Sequence, residues 1–126
     1  MSDDLELVHF MTTELGDDLI VSFFVAKSQD PSDGRSIILM RDMKWEYLLA
    51  ESERGVRISD EDFPEYEDAE DNDLEGIRID NTVAEIETKH RRYRLDLRHV
   101  DESDLRAAKR ILKKMNYDRR FQLTIG

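Results

Sequence analysis

The sequence predicts an α+β fold, a mainly antiparallel twisted sheet of about 6–8 strands with one amphipathic helix near the C-terminus packed on it. Three observations carry that reading. Short apolar segments with a period of two recur along the chain and are punctuated by Gly, Asp, Asn and Ser. Only one segment, residues 101–116, repeats its apolar residues with the helical period. The length of 126 residues, 39% of them apolar, suffices for two packed layers around a thin core. The chain reads as one domain, 1–126, interrupted by an acidic loop at about 60–75.

The elements follow in order. Residues 5–13 alternate Leu5, Leu7 and His9 with Glu6, Val8 and Phe10 and form a first strand. Gly16-Asp17-Asp18 is a turn signal. Leu19 to Lys27 is β-branched and aromatic, and too short for a helix, so it is a buried strand. Ser28 to Gly34 is a loop by composition, and Ser36 to Arg41 is a third strand that completes a meander. Met43 to Ser52 could be a short helix. The alternation of Trp45, Tyr47 and Leu49 with Lys44, Glu46 and Leu48 favours a strand, joined through a hairpin turn at Gly55 to a return strand at Val56-Arg57-Ile58. Leu74 to Asp80 and Thr82 to Thr88 are strands around Asp80-Asn81. Tyr93, Leu95 and Leu97 face inward from a strand whose outer face carries Arg92 and Arg94. The helix opens on Asp101 as N-cap, with Asp104 in its first turn and Lys113 and Lys114 near its end, where each sign suits the helix dipole. Its apolar stripe is Leu105, Ala108, Ile111, Leu112 and Met115. Phe121 to Ile125 is a terminal strand. A small barrel plugged by the helix, similar in outline to pleckstrin-homology domains, is the alternative arrangement.

Charge is unevenly placed. The window from Asp60 to Glu75 holds ten Asp or Glu and no Lys or Arg, a formal −10 out of −11 for the whole chain. Thr88 to Arg120 holds twelve Lys or Arg against five Asp or Glu, a local +7. A dense negative segment suits a positive partner, because charge steers encounter and apolar anchors hold the complex. The expected partner-binding residues are therefore Phe63, Tyr66, Glu67, Asp68, Glu70, Asp71 and Asp73. Crowded like charges with few apolar ties also predict that this run is mobile when the protein is alone. The Lys89 to Arg94 stretch interleaves base and aromatic as nucleic-acid binders do, but its alternation turns Tyr93 inward and the net charge opposes a polyanion, so no nucleic acid is expected.

Other chemistry is excluded more firmly. With no cysteine there is no disulfide, thiolate nucleophile or cysteine metal site, and a reducing, cytoplasmic setting is the default. The N-terminus lacks a signal-peptide pattern, and the longest uncharged apolar stretch, Leu19 to Ala26, is far short of a membrane span. His9, His90 and His99 lack metal-ligand spacing, and no GxSxG, GxGxxG or GxxxxGK motif is present. Asp71 to Gly76 mimics the start of a calcium loop, but the twelfth position is Thr82, not the bidentate Glu. No catalytic residue, metal ligand or cofactor is assigned. The expected function is a non-catalytic protein-binding module, most concretely a small acidic inhibitor of a basic protein, of the bacterial immunity-protein or antitoxin type. The alternatives are a metal-dependent hydrolase using Asp and Glu ligands, and a structural subunit with a solubilising acidic loop.

Overall fold

The computed structural model describes residues 5–62, 73–89 and 91–126. Among them the chain forms β1 (Glu6–Leu15), β2 (Asp18–Ala26), β3 (Gly34–Asp42), two single 3-10 turns (Glu46–Leu48 and Glu51–Glu53), β4 (Arg57–Asp60), β5 (Leu74–Ile79), β6 (Val83–Thr88), β7 (Arg92–Asp96), α1 (Glu102–Met115) and β8 (Gln122–Ile125). The strands make one mostly antiparallel sheet in the order β4-β3-β2-β1-β7-β6-β5-β8. This is the α+β architecture the pattern predicts.

Two four-stranded halves meet at a narrow seam. β1 runs parallel to β7 through only two register pairs, Glu6 with Leu95 and Leu7 with Asp96. The other parallel pair is β5 with β8. The sheet curls until a single bridge joins Arg57 to Asp73 and the Leu74 amide donates to the Val56 carbonyl at 2.9 Å. It does not close, so the plugged-barrel alternative is wrong: one bridge beside the four-residue β4 is too little pairing to complete a ring.

Alternation decides the core. β2 buries Leu19, Val21, Phe23 and Val25, while Ile77, Ile79, Ala84, Ile86 and Leu95 do the same in the other half. α1 lays Leu105, Ala108, Ile111, Leu112 and Met115 across β1, β2 and β8. The Asp101 carboxylate accepts from the Ser103 amide and caps the helix, as the sequence predicts. Two polar clusters close the core. Arg35 forks onto Glu6 at 2.9 and 3.2 Å and reaches Asp60 at 3.1 Å, and the Tyr93 hydroxyl donates to that same Asp60 at 3.0 Å, tying β7 to β4. Arg41, 1% exposed, donates to Glu46 at 2.7 Å, to both oxygens of Asp118 at 2.8 Å, and to the Met115 carbonyl. Among the described residues no helix is long and apolar enough to cross a membrane.

One expected element is absent. Residues 43–52 are not a strand, and β4 pairs with β3, not with them. The Asp42 carboxylate accepts from the Lys44 and Trp45 amides at 3.0 Å, which turns the chain as soon as β3 ends. Arg41 then draws Glu46 inward, so the polar member of the alternation is buried and the aromatic members are not. Gly55, with φ of 135°, turns the chain into β4 as the sequence suggests, but the strand begins at Arg57.

Candidate docking surface

Strand β4 lies between the two described ends of the acidic run. Its first three carboxylates serve the fold. Asp60 is buried under Arg35 and Tyr93, Glu61 accepts from the Ser36 amide, and Asp62 pairs with Lys27 at 3.1 Å. Burial, and then the Asp60 carboxylate beside it, push the Tyr93 phenol above its usual pKa. At the other end Asp73 bridges to Arg57, where β4 begins. The run therefore leaves at one end of β4 and returns at the other. Of the expected partner-binding residues, the structure places Asp73 at this return point; Phe63, Tyr66, Glu67, Asp68, Glu70 and Asp71 lie outside the described residues, as does the expectation of mobility there. The calcium-loop resemblance ends in β5, where Leu74 and Gly76 pair with β6 on either side of a register shift, and among the described residues no three His, Asp or Glu gather as a metal site.

A second surface was not foreseen. The connection between β3 and β4 carries Trp45, Tyr47, Leu48 and Leu49, exposed by 53, 66, 67 and 43%, and Tyr117 at 61% follows α1 at the same end of the fold. Here the backbone is clamped. Leu48 and Leu49 amides close the first 3-10 turn onto Trp45 and Glu46 carbonyls. Arg54 donates to the Leu49 and Tyr47 carbonyls at 3.1 Å, Glu46 accepts from the Gly55 amide at 3.2 Å, and Arg120 donates to the Arg54 carbonyl at 3.2 Å. Tyr117 lies over the Arg41 guanidinium at 4.6 Å. The signal available in the sequence was Glu46. An acidic residue five after a strand arginine can fold back onto it, and that reverses the inside–outside reading of its neighbours. No family model, curated protein or solved structure matches the chain.

The basic strand is internally balanced. On the outer face of β5, β6 and β7, Arg94 pairs with Glu85 at 3.3 Å and Arg92 with Glu87 at 3.3 Å. Tyr93 points inward, as the alternation predicts. Gly76 leaves a shallow concavity of about 360 Å³ between these ladders and β8. The Arg98 side chain turns back onto Asp96 at 2.7 Å and holds that carboxyl below its usual pKa. His9 sits at a bulge in β1 against Phe24, its Nε2 buried and without a hydrogen-bond partner among the described residues, and His99 is exposed.

Proposed function

We propose that this protein is a non-catalytic binding module that captures a basic protein, most concretely an acidic inhibitor of the immunity-protein or antitoxin type. The observation that carries the reading is the placement of the −10 window. Its leading acids are built into the fold and its end returns at Asp73, so the run is tied to the sheet at both ends and is not a free tail. A dense array of carboxylates resembles a row of phosphates in charge and suits the face by which a basic nucleic-acid enzyme grips its substrate. The basic strand supports the same reading, because its arginines are already paired with glutamates on their own sheet.

The test begins with a tagged full-length chain used to capture partners from the native host, with the captured protein identified, purified and measured in isolation. The partner should carry a net positive charge, and association should slow steeply between low and physiological salt. Neutralising Glu67, Asp68, Glu70 and Asp71 together to Gln or Asn should slow association and leave the fold intact. An on-rate indifferent both to salt and to that variant would remove the acidic run from the interface.

A further inference from the structure

Resting on the reading of the protein as a module for a basic partner, we propose that the β3–β4 connection is the anchoring half of the interface: Trp45, Tyr47, Leu48 and Leu49 enter an apolar cleft of that partner. Three observations converge. The first is exposure: these four residues, with Tyr117, form the main group of exposed large hydrophobics among the described residues. Contiguous apolar surface of this kind marks interaction sites, and aromatic residues are favoured as anchors. The second is order. Asp42, Glu46, Arg54 and Arg120 fix the backbone beneath the patch, so little chain entropy is lost on binding.

The third is charge, and it chooses the occupant. Several cations around the patch are engaged internally: Lys44 pairs with Asp17 at 3.5 Å and lies over the Trp45 ring at 5.1 Å, Arg54 donates to carbonyls, Arg120 pairs with Asp118 at 2.6 Å and reaches Glu51 at 3.9 Å, and Arg41 binds Glu46 and Asp118. Glu51 and Glu53 are exposed on the same connection, which runs through Gly55 directly into β4, beside which the acidic run returns at Asp73. The connection thus carries exposed apolar groups followed by the exposed carboxylates Glu51 and Glu53 as its acidic rim, complementary to a cleft with an apolar floor and a basic margin. A second copy of a chain carrying −11 would bring like charges together at that rim.

Trp45 is the chain's single tryptophan, so its emission reports on this surface alone. The probe is the basic protein captured from the host and purified, in a form with its own tryptophans replaced by phenylalanine. On complex formation Trp45 emission should shift to the blue and become shielded from acrylamide. A Tyr47→Ala, Leu48→Ala double variant, which leaves every clamping hydrogen bond in place, should dissociate about thirtyfold faster or more with an unchanged on-rate. The Glu67, Asp68, Glu70 and Asp71 neutralised variant should do the opposite, slowing association. If the apolar variant keeps its off-rate and Trp45 stays quenchable while the neutralised variant loses on-rate, the apolar anchor is overturned and the acidic docking surface stands. If the neutralised variant is unaffected and the apolar variant dissociates fast, the acidic reading fails and the anchor stands. Trp45 already shielded in the free protein, with a dimer in sedimentation that the apolar variant abolishes, would replace the basic partner by a second copy. Failure to capture any basic protein overturns both.

Discussion

Arg41 is a full charge carried to the end of the core, where its contacts come from elsewhere in the chain: Glu46 from the connection, the Met115 carbonyl from the end of α1, and Tyr117 and Asp118 just beyond it. Removing one partner of such a cluster strands the others. Arg41→Ala should cost about 3–5 kcal/mol in urea denaturation, and Arg41→Met combined with Glu46→Met should recover part of that loss. A loss below about 1 kcal/mol for the single variant would mean the cluster is more hydrated than its burial indicates. The pH dependence follows from the same geometry. The Arg41 guanidinium, with help from Arg120, holds the Asp118 carboxyl well below its ordinary value of 3.8. A depressed folded pKa means that Asp118 contributes stability fully above the ordinary carboxylate pKa and loses it as pH falls below that value. Asp118→Asn should therefore be less stable at neutral pH and should show a shallower fall in stability below about pH 4. Superimposable acid limbs for variant and wild type would exclude this role. Residues such as these were the least legible in the sequence. Tyr93 facing inward could be read from alternation, but its bond to Asp60 joins positions 33 apart, and no periodicity encodes a partner at that range.

At the scale of elements, the helix offers the sharpest contrast. Leu112 is fully buried and Lys113 is exposed. Leu112→Ala should cost about 2–5 kcal/mol and Lys113→Ala less than about 0.5, by urea denaturation; equal losses would mean that a different face of α1 meets the sheet. Gly34 makes a second case. A Cβ there would collide with the Val25 carbonyl and the Phe24 ring, so Gly34→Ala should lower the melting temperature although the site is at a strand end. The strands and helix were legible because each buries one face, and burial of one face imposes a period that survives in the sequence. The connection after β3 was misread for the complementary reason. Trp45, Tyr47 and Leu49 do alternate, but a period of two records which residues share a side and is silent on which side is wet. The wet side was decided by Arg41 taking Glu46 inward. The acidic run posed a third case: its flanking acids, Asp60 to Asp62, had the same composition as the rest and yet became structural through Arg35, Ser36 and Lys27.

Across the whole molecule, the proposed capture of a basic partner divides between charge and apolar contact, and the two contributions should separate in the kinetics. Raising salt from about 0.05 to 0.5 M should slow association several-fold, with little change in the dissociation rate, because screening acts on the approach and not on contacts already formed. Stopped-flow measurement of both rates would check this, and a salt effect confined to dissociation would contradict it. The Arg41 cluster has a further consequence, for the order in which the chain can be completed. Asp118 lies 77 residues after Arg41, so at about 5–20 residues per second the arginine waits about 4–15 s on the ribosome for its second carboxylate. Through that interval the residues of β1 and β2 lack the helix that covers their apolar face in the complete fold, since α1 is made immediately before Asp118. The first third of the chain is thus made well before the helix that covers it in the finished fold, so the complete packing of its apolar face waits on the last residues to be synthesised.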